Sequence, residues 1–203
     1  SEIENGLFEA LKYGALFDAP LVKLIVENRA ALKNYNSRSG GLFLKIIKKC
    51  VGFKNKIVSV DPFDAGARLA LNFGHTFAHA FESVSGGRIA HGAAVGLGMF
   101  AELALAGFIY GETEENKSLA ADLMKFIRGC AAYKKLDGLI KRDGIFEKLH
   151  EFIAHDKKSA GNGTVRMPVV KKAGVYSLED ISVSRHIAPF LNSKEYVIKE
   201  WSG

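Results

Sequence analysis

Apolar residues recur at three- and four-residue spacing along most of this chain, the pattern of helices that bury one face. "FEALKYGALF" opens the pattern. "DAPLVKLIVENRAALKN" continues it, with Asp18 placed to cap a helix and Pro20 in its first turn, where a missing N–H costs least. "GGLFLKIIKKCVGFKNKIVSV" predicts one long helix from about Gly41 to about Val60, and a further helix is predicted over roughly Gly66 to Val84. "HGAAVGLGMFAELALAGFIYG" is rich in Ala and Gly and nearly free of charge, which predicts a central helix approached closely by its neighbours. In "TEENKSLAADLMKFIRGC" the acids come first and Lys and Arg last, as the helix dipole favours. Short helices are predicted at Leu136–Arg142 and Ile145–His155. The texture then changes: "TVRMPVV" and "GVYS" among turn residues predict a small β-hairpin at about 163–177, and "DISVSRHIAPFL" a final capped helix. The expected fold is mainly α, one helical domain over 1–203. No G-x-G-x-x-G follows a strand, and there is neither a P-loop nor βαβ alternation, so no nucleotide-binding half is visible.

Composition narrows the partners. The 203 residues are 48% hydrophobic and 25% charged, enough for one substantial core. No apolar run reaches the ~18 to 20 residues that a membrane helix needs, and "SEIENGLFEALKYG" lacks a basic signal region, so a soluble, cytoplasmic chain is expected. Cys50 and Cys130 lie far apart without metal-type spacing and are expected as reduced thiols. The net charge of +6 suits an anionic partner. It is spread over short runs such as "KIIKK" and "DKK", so neither nucleic acid nor a membrane surface is expected, and an anionic small molecule is.

The chemistry gathers in "NFGHTFAHAFE". On the expected helix, Arg68, Asn72, His75 and His79 fall at i, i+4, i+7 and i+11, with Glu82 one step further. Leu69, Leu71, Phe73, Phe77 and Phe81 make its other faces apolar, so the helix is expected to be enclosed. Polar groups removed from water cost several kcal/mol unless partnered, and this stripe calls for a metal, an anion or a polar network. Histidines at i and i+4 can share a Zn²⁺ ion, with His91 or Glu9 as candidates for a further ligand. Spacing leaves open whether both histidines ligate or one serves an anion. His150, His155 and His186 stand in ordinary surface contexts.

"ARLALNFGHTFAHAFE" followed by "HGAAVGLGM" resembles the signature of the 3-dehydroquinate synthase family and its sugar-phosphate cyclase relatives. "GLFEALKYG" is similar to that family's metal-bearing Glu helix, "KNKIVSVDPFDAGAR" to its substrate-binding Lys helix, and "HDKKSAGNGTVRMPVV" to its late Asp-Lys-Lys segment and hairpin. The resemblance runs from about Leu7 to about Glu179. It implies the family's multi-helix C-terminal domain, with Zn²⁺ (or Co²⁺) held by Glu9, His75 and His91. It makes His79 an anion-contacting, proton-handling residue and Asp64 an acidic site residue. Lys12, Lys54, Arg68, Asn72 and Lys157 become substrate contacts, Lys157 being taken over Lys158. The implied reaction converts a seven-carbon sugar acid phosphate (3-deoxy-arabino-heptulosonate 7-phosphate) to 3-dehydroquinate with loss of phosphate. It runs through transient NAD-dependent oxidation, elimination, reduction and intramolecular aldol closure. The family's NAD-binding α/β domain would precede the Glu helix and is absent here. The chain is therefore expected to be a piece of a longer, homodimeric enzyme, which alone turns over no substrate and holds metal weakly. Ala93 stands where the family usually has Glu after "HG", and "DPFDAG" replaces its usual acidic motif. These departures bear on the substrate and keep three rivals in view: another cyclase, the helical half of a metal-dependent alcohol dehydrogenase, or a non-catalytic metal- and anion-binding module.

Overall fold

The computed structural model describes residues 1–33, 35–37, 39–159 and 163–202, with side chains given there except at 156–159, 195, 200 and 202. Helix α1 (Glu2–Phe17) starts on a capping box, in which Ser1 and Glu4 satisfy each other's backbone N–H groups. Helix α2 (Ala19–Glu27) follows after Asp18 and carries Pro20 in its first turn. The Asp18 carboxylate does not cap α2 and pairs instead with Lys49. That lysine lies on α3 (Gly40–Val60), the long helix expected from the sequence. Helix α2 ends earlier than its apolar pattern suggested, and Ala31–Lys33 form a separate 3-10 turn.

The segment from 66 to 84 is not one helix. A 3-10 turn covers Ala67–Asn72, the chain swings through Phe73 and Gly74, and α4 (His75–Ser85) starts on a new axis. Gly74 makes the break, with φ at +83° in the left-handed region that glycine enters without strain. The single stripe expected from Arg68 to Glu82 is thus divided between two elements.

Helix α5 (His91–Tyr110) is the hub, buried from Gly92 to Gly107 and packed against α1, α4 and α6 (Glu114–Arg128). It is long and apolar enough to cross a membrane, with mean hydropathy 1.8, which corrects the expectation that no such run exists. Most of it, 89%, is buried within the fold, so its composition is that of a core helix enclosed by other helices. Its small residues set how closely neighbours approach. A Cβ on Gly98 would lie 1.9 Å from the Gly74 carbonyl oxygen, and one on Gly92 2.4 Å from the Asn5 backbone. Both α4 and α1 therefore rest against the α5 backbone.

Helices α7 (Tyr133–Ile140) and α8 (Ile145–Ser159) lead to the hairpin of β1 (Thr164–Lys172) and β2 (Val175–Ser182). The strands pair antiparallel from Thr164 opposite Ser182 to Lys172 opposite Val175. The hairpin extends beyond the expected 177, because Asp180–Ser182 complete β2 rather than opening a helix. A π-helical turn (Val183–Ile187), α9 (Ala188–Asn192) and an unexpected α10 (Lys194–Ser202) finish the chain. Trp201 of α10 is fully buried beside Phe100 and donates to Asp137 at 3.0 Å, locking the C-terminal end onto the core.

Candidate metal centre

Glu9, His75 and His91 come from three elements and converge. Glu9 sits mid-way along α1, whose contact with α5 at Gly92 brings it over the start of α5. His75 is the first residue of α4, placed there by the break at Gly74. His91 is the first residue of α5. One ligand atom from each lies within 4.8 Å of the others. Glu9 Oε1 is 3.8 Å from His75 Nε2 and 3.6 Å from His91 Nε2. Ligands at roughly 2.0–2.1 Å around a tetrahedral ion would stand about 3.3 Å apart, so small rotamer shifts suffice to close the set. One carboxylate and two imidazoles form a donor set that suits Zn²⁺ and would also take Co²⁺.

Both histidines aim Nε2 inward because Nδ1 is engaged elsewhere. His75 Nδ1 faces the Phe73 carbonyl at 3.2 Å, and a carbonyl can only accept, so Nδ1 carries the proton. His91 Nδ1 faces Glu82 Oε1 at 3.1 Å. Burial holds the His75 pKa below its usual value, and the Lys12 ammonium adds to that; the imidazole is kept neutral, the form a metal ligand needs. Lys12 is itself buried, with its ammonium 2.6 Å from Glu9 Oε2, one helical turn along α1. The two Glu9 oxygens are thus divided, Oε2 to the lysine and Oε1 to the histidines.

His79 stands outside this cluster. It is exposed, one turn along α4, with its ring perpendicular to that of His75 at 5.8 Å. Arg68 and Asn72 lie on the preceding 3-10 turn, where Arg68 is partly buried and Asn72 exposed. The Arg68 guanidinium donates to the Pro62 carbonyl at 3.3 Å. Lys54 is exposed on α3. Asp64 is exposed with φ at +57°, a left-handed conformation uncommon for a residue other than glycine. The Lys157 side chain, and with it the choice between Lys157 and Lys158, lies outside the described residues. A cavity of about 290 Å³ opens between α1 and α3, lined by Glu9 together with Tyr13, Phe43, Ile46 and Cys50.

Three acids serve the site without having been assigned from the sequence. Glu82 holds His91. Asp61 accepts the backbone N–H groups of Ala65, Gly66 and Arg68, tying the loop that carries Asp64 and Arg68, and those bonds hold its carboxyl below the usual range. Its signal was the Asp-Pro pair, a common turn opener. Glu102 is buried in α5 and accepts from Gly74 N–H at 2.9 Å, directly before His75. Among the described residues its Oε1 has no hydrogen-bond partner, and burial pushes its pKa up to about 8. Its signal was a lone acid in an otherwise uncharged helix.

A family model described as 3-dehydroquinate synthase C-terminal matches residues 6–159. The 3-dehydroquinate synthase of Clostridium tetani is 35% identical over 161 residues, covering 78% of this chain and 40% of the relative. That of Streptococcus pneumoniae is 29% identical over 199 residues, covering 98% of this chain and 50% of the relative. The chain thus spans about half the length of the curated relatives it matches. Two solved structures share the fold. A 2-epi-5-epi-valiolone synthase from Streptomyces hygroscopicus, with NAD⁺ and Zn²⁺ bound, aligns with a TM-score of 0.70 at 20% identity, over 95% of this chain and 51% of its own. A 2-deoxy-scyllo-inosose synthase complexed with carbaglucose-6-phosphate, NAD⁺ and Co²⁺ aligns with a TM-score of 0.71 at 17% identity, over 97% and 51%.

Proposed function

Because the chain belongs to the 3-dehydroquinate synthase C-terminal family, we propose that it is the metal- and substrate-binding half of a 3-dehydroquinate synthase. The reaction is the conversion of 3-deoxy-arabino-heptulosonate 7-phosphate to 3-dehydroquinate with release of phosphate, in a cytoplasmic homodimer. The observation that carries this reading is the convergence of Glu9, His75 and His91. In it, these three residues hold Zn²⁺ or Co²⁺, which when bound lowers the pKa of a substrate hydroxyl and fixes its position. NAD⁺ belongs to an α/β domain outside this chain and supplies reversible hydride acceptance.

The chain's own residues bind and orient. His79 stands exposed beside the metal cluster, where it contacts the substrate anion and passes a proton to or from it. Arg68, Asn72, Lys54 and Lys157 take the phosphate and carboxylate, which charged donors recognise best. Lys12 joins them as a substrate contact from beside the metal set, its ammonium also pairing with Glu9. Asp64 presents a carboxylate on a loop that Asp61 makes rigid. Fixing the substrate by metal and anion contacts supplies much of the acceleration, since most steps are proton transfers about a held ring.

A second reading, another sugar-phosphate cyclase, is favoured by Ala93. It is buried at 2% exposure, two residues from His91, where the family's carboxylate is missing. Both readings are tested by assaying phosphate release in the polypeptide in which this chain naturally occurs, with NAD⁺ and Zn²⁺. Release from the heptulosonate phosphate supports the synthase. Release from a different sugar phosphate alone supports the second reading, and no release from either contradicts both.

A further inference from the structure

We propose that Glu82 is the positioning residue for His91: its carboxylate accepts a hydrogen bond from Nδ1–H and so turns an unprotonated Nε2 toward Glu9 and His75. The inference rests on the reading of Glu9, His75 and His91 as metal ligands.

The local fold delivers this pair. Glu82 follows His75 by two helical turns on α4 and so shares its face. Helix α4 then closes on Gly86 and Gly87, both with positive φ, and Arg88 Nε donates back to the Ser85 carbonyl. Ile89 is buried at 7% exposure and anchors the reversal, which returns the chain as His91 at the first position of α5. Glu82 Oε1 then stands 3.1 Å from His91 Nδ1, while His91 Nε2 stands 3.6 Å from Glu9 Oε1. One ring thus joins the two carboxylates, each through a different nitrogen.

The chemistry explains why a carboxylate is needed. A neutral histidine has one N–H, and in water it prefers that proton on Nε2, the nitrogen that must be bare here. An acceptor on Nδ1 reverses the preference and also fixes the plane of the ring. His75 obtains its acceptor from the Phe73 main chain. Among the described residues no main-chain carbonyl pairs with the His91 ring, and its side chain is 52% exposed, so little packing restrains it. Its orientation therefore depends on a side chain that substitution can remove.

Imidazole ¹⁵N NMR on the metal-free chain at a pH above the histidine range reads the tautomer directly, and chelator competition reads Zn²⁺ affinity. With Glu82 present, His91 is expected as the Nδ1–H form. Glu82→Ala should return it toward the Nε2–H form and weaken Zn²⁺ binding roughly ten- to a hundredfold. Glu82→Gln keeps an amide oxygen able to accept the same bond and should recover part of both signals, which a purely structural loss would not. An unchanged His91 tautomer in Glu82→Ala overturns the proposal. His91→Ala, run in parallel, separates it from the ligand reading. If that variant loses Zn²⁺ while Glu82→Ala does not, the ligands stand and Glu82 fails. If His91→Ala binds Zn²⁺ unchanged, the ligand reading fails, and the tautomer signal alone decides whether Glu82 orients the ring.

Discussion

At the scale of single residues, Glu102 is the group whose behaviour is most open to measurement. Buried in α5, it holds the Gly74 N–H, and burial raises its pKa from 4.5 to about 8. Between those values the folded chain keeps a proton that the unfolded chain has released. Stability from this group is therefore fully present below about pH 4.5 and is lost as pH rises through about 8. Between pH 6 and 9 the loss should be about 2–3 kcal/mol, read as a falling urea midpoint. Glu102→Gln should flatten that component, and a variant with the same pH profile as the parent would contradict the assignment. The histidine pair in "NFGHTFAHAFE" was legible as a site from spacing alone, because polar residues among Phe and Ala need a partner. Spacing left the division of the pair open and the family resemblance implied it; in space Glu9, His75 and His91 gather while His79 stands outside their cluster. Glu82 was legible as a member of the polar stripe, but its partner was not, since His91 lies across a reversal that no periodicity records.

Elements explain how the ligands meet. Helix α5 acts as a platform whose glycines let α1 and α4 rest on its backbone, so the Glu9 and His75 positions are set by backbone-to-backbone contact. A methyl group on Gly98 would sit 1.9 Å from the Gly74 carbonyl, with rigid backbone on both sides. Gly98→Ala should therefore displace α4 and destabilise the chain by about 1–3 kcal/mol. It should also weaken Zn²⁺ binding, whereas Gly52→Ala, at an open position on α3, should leave metal binding unchanged. Equal Zn²⁺ affinity in Gly98→Ala and the parent would show that the α4–α5 contact does not set the site. Helices with strong apolar periodicity, α3, α5, α6 and α8, were readable from the sequence to within a few residues, whereas α1 starts at Glu2, well before the Phe8 where its pattern was read. The break at Gly74 was not, because the apolar spacing runs unbroken across it. Its cause is tertiary: a glycine with positive φ pressed against α5. The far end of β2 was misread for a related reason, since "DIS" follows turn-rich sequence and joins the sheet only through its pairing with β1.

For the molecule as a whole, the mainly α architecture with one hairpin was legible because helical periodicity filled most of the chain. The C-terminal closure by Trp201 was less so, as α10 is short and mostly polar. The chain spans about half of its curated relatives and carries a metal-type cluster together with cationic side chains on the loop, turn and helices around it. Glu9, His75 and His91 are proposed to form one metal site to which His79 does not belong. Zn²⁺ titration with chelator competition, on the parent chain and on Glu9→Gln, His75→Ala, His79→Ala and His91→Ala, tests this most directly. One ion per chain is expected, weakened at least tenfold in each of the three ligand variants and held at parental affinity by His79→Ala. Parental affinity in His91→Ala together with loss of the ion in His79→Ala would contradict it.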